Sequence, residues 1–307
     1  MLQLNTLPKT DDLVFASSPS WQCGGKVPTA MATLGILNAK AGIISVVGDD
    51  KLGKYSLKDF ERYNVDISRM VIDYGKTTAL SICLAEKSTS GRSFIGVLGT
   101  RRELQAGDIP EDYIRSAKYL HLCQMIPATV HGAKLASKHG VKVVFDGDVY
   151  EKSIDDNLGL INIFIASEIF YNGMFNDPDF RNLEKNCFTL QQRGPEIVVI
   201  TLGSDGCAGV YGNTFFKAPG FKVDVIDTTG AGDVFHGAFI YGLLKEYDIE
   251  YTARFANAVA AIKCTRQGGR AGIPCFETVS RFLADGTIDY TEIEKRLNFY
   301  KDGIWNT

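Results

Sequence analysis

The feature that most constrains the fold is a regular alternation of short apolar runs with helix-like stretches. Four apolar runs occupy residues 117–123, 142–146, 160–166 and 196–203, and amphipathic or polar stretches separate them. A helix between two strands returns the chain to the same edge of a sheet, so successive strands lie parallel. The alternation therefore predicts an α/β fold, in which helices cover a parallel sheet.

Two segments nearer the N-terminus do not follow this alternation. Residues 78–86 and 93–99 alternate apolar and polar side chains and flank the polar turn KSTSGR at 87–92, which predicts a β-hairpin. Residues 13–23 resemble a further exposed strand. We predict one domain, residues 1–307, with a small β-sheet lid. The lid strands are placed at about 8–23 and 77–99.

Charge and cysteine usage limit the partners and the compartment. Lys and Arg number 33 against 36 Asp and Glu, a net charge of −3, so the chain lacks the broad basic surface that nucleic acid or an anionic membrane would require. Seven cysteines are scattered without a Cys-x-x-Cys pair. This pattern predicts reduced thiols and a cytoplasmic protein.

The strongest local signal for chemistry is the stretch 223–247. The run VDVID at 223–227 predicts a strand, the small residues at 228–232 predict a tight turn, and an apolar helix pattern follows. Backbone N–H groups at such a turn converge on an anion, and the helix dipole adds positive potential. Asp233 lies beside this pocket, where its carboxylate can take a proton from a group that attacks a bound phosphate.

Two better-known phosphate motifs do not fit the chain. A dinucleotide-binding Gly-x-Gly-x-x-Gly motif would require glycine where Phe235 follows Gly230 and Gly232. The segment 48–54 matches Gly-x4-Gly-Lys of a P-loop, but Tyr55 replaces the hydroxyl residue that binds magnesium. We interpret the second match as a coincidence.

Two further glycine-rich turns are candidate ligand sites. Gly24 and Gly25 precede the first predicted helix, where a ligand can approach the backbone closely. The segment 201–206, Thr-Leu-Gly-Ser-Asp-Gly, follows an apolar strand. Ligands of open α/β sheets bind beyond the carboxyl ends of the strands, so this turn is a candidate wall of a nucleotide site.

Taken in order, these turns and the sequence Asp-Thr-Thr-Gly-Ala-Gly-Asp at 227–233 resemble the ribokinase (PfkB) family of ATP-dependent carbohydrate kinases. The resemblance covers nearly the whole chain. The segment 253–274 is similar to the ketose-kinase branch, which includes fructokinase-like, ketohexokinase-like and sulfofructose-kinase-like enzymes. It implies a three-layer αβα sandwich with a β-sheet lid, and a homodimer formed through that lid.

The resemblance also assigns roles to individual residues. It implies that Asp233 is the catalytic base and that the anion hole consists of Gly230, Ala231 and Gly232. The ATP-binding residues it implies are Thr201, Gly203, Gly206 and Asn257, and the sugar-binding residues are Gly24, Gly25 and Thr29. Family members often hold a monovalent cation such as K⁺ with backbone carbonyls, and the matching positions are Asp227, Thr229, Lys263, Gly268 and Gly272.

The chain departs from the family pattern in three places. The family's first apolar strand, with its sugar-binding Asp, has no counterpart, so we expect the main sheet to lack one strand. The family's Asn-x-x-Glu motif for Mg²⁺ would fall near residues 166–170, where only Glu168 is acidic, and Glu168 is out of register with the motif. Thr29 stands where the family has Asn, which argues against ribose as the substrate.

The sequence therefore predicts an enzyme that transfers a phosphoryl group from Mg-ATP to a primary hydroxyl of a small sugar, with a ketose favoured. Two alternatives stay open at this point. One is a nucleoside kinase of the same family. The other is a member that binds sugar or nucleotide without turnover.

Overall fold

The structure, a computed structural model, describes residues 1–16, 18–86 and 92–303. The strands in these residues, β1 to β12 in chain order, are Leu2–Leu4, Ser18–Pro19, Ala41–Gly48, Val65–Asp73, Leu80–Glu86, Arg92–Val97, Tyr119–Leu122, Lys142–Gly147, Ile163–Ser167, Ile197–Thr201, Cys207–Tyr211 and Thr214–Ala218. The α-helices, α1 to α11 in chain order, are Lys26–Ile36, Lys51–Arg62, Glu111–Arg115, Pro127–Lys138, Lys152–Asp155, Glu168–Phe175, Leu183–Gln191, Ala231–Leu244, Ile249–Cys264, Phe276–Asp285 and Thr291–Asp302.

The chain divides into two compact units. The first unit consists of Met1–Glu103, Val223–Val234 and Val259–Thr307, and the second consists of Leu104–Lys222 and Phe235–Ala258. The prediction of a single domain with a lid stays a prediction. Each unit is described separately below.

The second unit is built on a six-stranded sheet in the order β12-β11-β10-β9-β8-β7. Strands β7 to β10 are parallel, and β11 and β12 extend the sheet as an antiparallel hairpin. The four apolar runs predicted from the alternation are therefore confirmed as parallel strands. Phe145, Phe164 and Val199 are completely buried in the central strands, as expected for a sheet flanked by helices such as α4, α6 and α7.

In the first unit, β3 and β4 form a two-stranded parallel sheet of their own. The run AGIISVVG at 41–48 is a short apolar run that indicates a strand, and it coincides with β3. The helix between the two strands is α2. The sequence did not predict β4, whose side chains are mostly half-buried or exposed. With so few buried positions, β4 lacks the continuous apolar run by which β7 to β10 were recognised.

The other sheet of the first unit corresponds to the predicted lid, in the order β2-β1-β5-β6. Strands β5 and β6 pair antiparallel, as the hairpin prediction required. The predicted turn lies mainly in residues 87–91, outside the described residues. Of the segment 13–23 only Ser18–Pro19 is a strand among the residues described, and it pairs with β1, which was not predicted.

Within residues 1–16, 18–86 and 92–303, no helix combines the length and the apolarity needed to cross a membrane.

Candidate active site

The centre of the candidate site is the turn at 227–233, which the buried carboxylate of Asp227 organises. Asp227 Oδ1 accepts a hydrogen bond from the backbone N–H of Thr229 at 2.9 Å, and Oδ2 accepts one from the backbone N–H of Gly268 at 2.6 Å. Hydrogen bonds from backbone N–H groups to a carboxylate are stronger than neutral ones. This carboxylate therefore holds two loops of the first unit together.

The segment leading into this turn differs from its prediction. The run 223–227 is not a strand, and Val225 and Ile226 are 58% and 54% exposed. The backbone N–H groups of Ile226 and Asp227 both donate to the carbonyl of Cys264, at 2.8 and 3.1 Å. The strand prediction was wrong because this segment bonds to the end of α9 and not to a neighbouring strand.

Helix α8 begins at Ala231, so the last three residues of the segment 227–233 form its first turn. Gly230 has φ of 76°, in the left-handed region that favours glycine, and a Cβ there would lie 3.1 Å from Gly269. Asp233 is in the first helical turn and is half-buried, while Gly232 is exposed. The backbone N–H of Ala231 donates to the carbonyl of Thr228 at 3.1 Å, so this amide would have to exchange that partner for a bound anion. The start of a helix can bind an anion, and here that end lies in the same helical turn as Asp233.

Four of the five residues matched to the monovalent cation are joined by hydrogen bonds, and the fifth lies against them. The side chain of Lys263 is 0% exposed, and its Nζ donates to the backbone carbonyl of Asp227 at 2.8 Å. A Cβ on Gly272 would lie 2.5 Å from the carbonyl oxygen of Lys263. Burial lowers the pKa of Lys263, and the charges of Asp227 and Asp233 act in the opposite direction.

One cationic residue at this turn was missed by the sequence analysis. Arg92, an exposed residue at the start of β6, donates a hydrogen bond from its guanidinium to the hydroxyl of Thr228. The guanidinium therefore lies beside the turn at 227–233. An arginine in a polar hairpin gives no pattern in sequence, and only the pairing of the hairpin with the rest of the unit locates it.

The candidate sugar-binding turn precedes α1 in the same unit. Gly25 is the N-cap of α1, with φ of 92°, and Gly24 is exposed. Thr29 is only 1% exposed, and its hydroxyl lies 3.5 Å from Nε of Arg270. The structure thus places Thr29 beneath the Gly24–Gly25 turn, and its contact with sugar stays a prediction.

A buried ionic network supports this turn from below. Arg270 is completely buried; it donates to Asp59 Oδ2 at 2.6 Å and to the carbonyl of Gly24 at 2.9 Å. Tyr300 donates to Asp59 Oδ1 at 2.6 Å, and the hydroxyl of Tyr63 lies 2.5 Å from that of Tyr300. Burial, Tyr63 and Asp59 raise the pKa of Tyr300 well above its usual value, so its hydroxyl stays a donor.

In the second unit, the candidate nucleotide wall follows β10. Thr201 ends that strand, and its hydroxyl donates to the carbonyl of Ala166 at 3.3 Å. Gly203 is exposed at the start of a short 3₁₀ turn. Gly206 closes that turn with φ of 91°, and a Cβ there would lie 2.2 Å from the carbonyl oxygen of Ala218. A larger residue at 206 would therefore disrupt the wall.

Asn257, on α9, contacts the loop that follows β12. It is 7% exposed, and its Nδ2 donates to the carbonyls of Ala218 and Pro219 at 2.9 and 3.3 Å. The side chain therefore ties α9 to the loop that follows β12, close to Gly206. It supports the wall from behind.

We expect Asn257→Ala to leave these two carbonyls without their donor and so to destabilise the loop by about 1–3 kcal/mol. The KM for ATP should rise about tenfold, while the KM for sugar changes little, because every contact of Asn257 described above is in the second unit. Steady-state kinetics with each substrate varied in turn measures both values. The exposed Asn298→Ala is the control, and equal changes in both KM values would contradict the assignment.

Glu168 lies at the same sheet edge as Thr201. It is the exposed first residue of α6 and follows Ser167, which pairs with Thr201 in the sheet register. The hydroxyl of Ser167 accepts from the backbone N–H groups of Ile169 and Phe170, both at 3.1 Å, which fixes the start of the helix. A carboxylate in this position fits a hydrated Mg²⁺ ion, which prefers one or two carboxylates plus water and phosphate oxygens.

The P-loop-like segment 48–54 has a structural role. Asp50 is the N-cap of α2, and its Oδ1 accepts from the N–H of Gly53 at 2.9 Å and from the hydroxyl of Thr78 at 2.7 Å. A carboxylate cap occupies the end of the helix where a P-loop would hold phosphate. The interpretation of this motif as a coincidence is consistent with the cap.

His236, in α8, is 4% exposed. Its Nε2 lies 3.6 Å from Asp146 Oδ1, and its ring stacks on that of His121 with centroids 5.2 Å apart. Burial is the main cause, and the neighbouring His236 the second, of a lowered pKa of His121, about 4. His121 is therefore neutral near pH 7. This cluster was not predicted, because its members come from three separate elements.

All seven cysteines carry free thiols, as the cysteine pattern predicted. Burial raises the pKa of Cys23, Cys187 and Cys207 to about 12. These thiols are therefore poor nucleophiles near neutral pH.

The sequence is similar to one protein family and to individual members of known name. The family profile described as pfkB family carbohydrate kinase matches residues 5–275. An ATP-dependent ribose-1-phosphate kinase from Halopiger xanaduensis is 28% identical over 287 residues, which cover 92% of this chain and 94% of that protein. A ribokinase from Haemophilus influenzae is 29% identical over 267 residues, which cover 85% of this chain and 87% of that one.

Among solved structures, the ribokinase of Arabidopsis thaliana in complex with ribose and ATP superposes with a TM-score of 0.78 at 23% identity. The superposition covers 92% of this chain and 94% of that one. The prediction of a ribokinase-like α/β fold is confirmed.

Proposed function

The chain belongs to the pfkB family of carbohydrate kinases, and from that premise we propose that it transfers the γ-phosphoryl group of Mg-ATP to a primary hydroxyl of a small ketose. Such enzymes are phosphotransferases with an alcohol group as acceptor. The observation that carries the proposal is the turn at 227–233. Its end is the first turn of α8, where the helix dipole favours an anion, and Asp233 is an acidic residue in that same turn.

In the proposed mechanism the residues at 230–232 stabilise the transferring phosphoryl group. Its transition state spreads negative charge over the equatorial oxygens, and the backbone amides at the start of α8 and the α8 dipole interact with that charge. Asp233 accepts the proton of the sugar hydroxyl as the bond to phosphorus forms. The lid strands close over the sugar and exclude water, which would otherwise hydrolyse ATP.

The other site residues bind the substrates. Thr201, Gly203, Gly206 and Asn257 hold the nucleotide, and the backbone at Gly24 and Gly25 contacts the sugar, with Thr29 beneath it. Glu168 would hold Mg²⁺ together with the nucleotide phosphates, and the ion would supply neutralisation of the phosphate charge. The predicted K⁺ site includes the carbonyl of Asp227, which here accepts a hydrogen bond from Lys263.

We also propose a homodimer formed through the lid, and a cytoplasmic location. Phe94, Ile95 and Val97 on β6 are each more than half exposed, which supports burial against a second copy. Seven free thiols are consistent with a reducing compartment.

The test of the proposed function is a substrate panel. Purified protein with Mg-ATP is incubated with ketoses, aldoses and nucleosides, and sugar-dependent release of ADP is measured. The proposal predicts the highest kcat/KM with a ketose. A preference for adenosine or inosine would instead support a nucleoside kinase.

Arg92 provides a separate prediction for the phosphoryl site. We expect Arg92→Ala to lower kcat by about tenfold to a hundredfold, because it removes a cation beside the anion-binding turn. Arg92→Lys should retain part of the activity, since the charge remains but the bond geometry changes. Steady-state kinetics measures the effect, with Arg101→Ala as the matched control after the same hairpin. Unchanged kcat in Arg92→Ala would exclude a role for this guanidinium.

A further inference from the structure

The side chain of Lys263 is an unusual group to find beneath an anion-binding turn. Lys263 lies in the last turn of α9 and is 0% exposed. Lysine is almost never fully buried unless it is paired. Its ammonium donates to the backbone carbonyl of Asp227 at 2.8 Å. The residue that supplies this carbonyl therefore also carries a negatively charged side chain.

The surroundings of this ammonium resemble those of a bound cation. The C-terminal end of a helix carries partial negative charge, which favours a cation in its last turn. The Asp227 carboxylate is 7% exposed and adds a full negative charge close by. In the first unit, the Lys263 ammonium thus has a carbonyl oxygen as its hydrogen-bond acceptor and a carboxylate nearby. The same two groups would stabilise a bound monovalent cation.

The residues present do not fit an additional K⁺ at this carbonyl. The carbonyl of Asp227 is one of the groups that the family resemblance gives to the ion, and here the Lys263 ammonium bonds to it. Two like charges at the same buried carbonyl repel each other strongly, because little water screens them. The ammonium and the ion are therefore alternatives.

We propose that the ammonium of Lys263 is a built-in replacement for the monovalent cation, so that the anion hole at 230–232 forms without K⁺. The inference rests on the proposed function of the turn at 227–233. Lys263 acts as a positioning residue: it holds the Asp227 carbonyl, which begins the turn, and it places a fixed positive charge behind the amides. It does not touch the substrate.

The first test measures cation binding without turnover. Thermal unfolding of the protein is followed in KCl, NH₄Cl and tetramethylammonium chloride at equal ionic strength. We expect the same midpoint in all three salts for the wild type. Lys263→Met, which keeps the length of the side chain but removes its charge, should be stabilised by K⁺ or NH₄⁺ and not by the bulky cation.

The second test uses the same salts in the kinase assay. The wild-type kcat should vary by less than about twofold among them, while kcat of Lys263→Met should fall about tenfold or more and recover with K⁺ or NH₄⁺. Lys245→Met is the matched control, because Lys245 is an exposed lysine just after α8. The control should behave as the wild type does.

The two tests separate this inference from the proposed function. A wild-type protein that K⁺ specifically stabilises or activates would overturn the inference, even if Lys263→Met does not fold. A wild-type protein that is indifferent to K⁺ in thermal unfolding supports the inference. Thermal unfolding supports the inference in this way even if the kinase assay shows no sugar turnover. Absence of turnover would contradict the proposed function and not the inference about Lys263.

Discussion

Replacing Asp233 with Asn is expected to lower kcat by about 10²–10⁴-fold, the usual contribution of a positioned general base. The amide has nearly the same shape as the carboxylate and preserves the start of α8, but it cannot accept the proton of the sugar hydroxyl. The KM values for ATP and sugar should change much less, because neither ground-state complex requires proton transfer. Steady-state ADP release measures the three quantities.

Asp224→Asn is the matched control for this variant. Asp224 is an exposed carboxylate in the segment that leads into the same turn. The control should retain wild-type kcat, which shows that loss of a negative charge near the turn is not sufficient. If Asp233→Asn retains wild-type kcat, Asp233 is not the base and the proposed mechanism fails.

The second large effect is expected in stability, at the buried pair of Asp59 and Arg270. Both side chains are 0% exposed, and their charges are 2.6 Å apart. Removing one partner leaves an uncompensated buried charge, which costs about 3–5 kcal/mol. We therefore expect Asp59→Ala to lower the free energy of unfolding by about that amount and the Tm by about 10 °C.

Urea and thermal denaturation measure this change. The double variant Asp59→Ala with Arg270→Met should recover part of the loss, because neither charge then remains buried. Asp156→Asn, which breaks an exposed pair with Lys152, is the control and should cost less than about 1 kcal/mol. A loss below about 1 kcal/mol in Asp59→Ala would show that the Arg270 charge finds another partner.

The parallel strands β7 to β10 were predictable because each is a continuous apolar run followed by a turn. The turn at 227–233 was predictable for a similar reason, since small residues and the helix that follows are adjacent in sequence. These features depend on neighbouring residues alone. Local patterns are the most reliable information in a single sequence.

The contacts that complete the candidate site depend on distant residues. Asp59 and Arg270 are 211 positions apart, and Asp227 and Lys263 are 36 apart. Lysine and arginine are usually exposed, and nothing in the neighbouring sequence shows when one of them is buried. Its burial is known only once the whole unit is packed. The segment 223–227 has a strand-like local pattern but is not a strand. Val225 and Ile226 are exposed, and the backbone N–H groups of Ile226 and Asp227 bond to the end of α9.

The central claim is that this chain phosphorylates a primary hydroxyl of a sugar at the expense of ATP. The most direct measurement is ³¹P and ¹³C NMR of the product formed from Mg-ATP and the sugar that gives the fastest ADP release. We predict one phosphomonoester on a primary carbon, in an amount equal to the ADP formed. Inorganic phosphate in place of a sugar phosphate, or binding of sugar and ATP by calorimetry without any product, would contradict the claim.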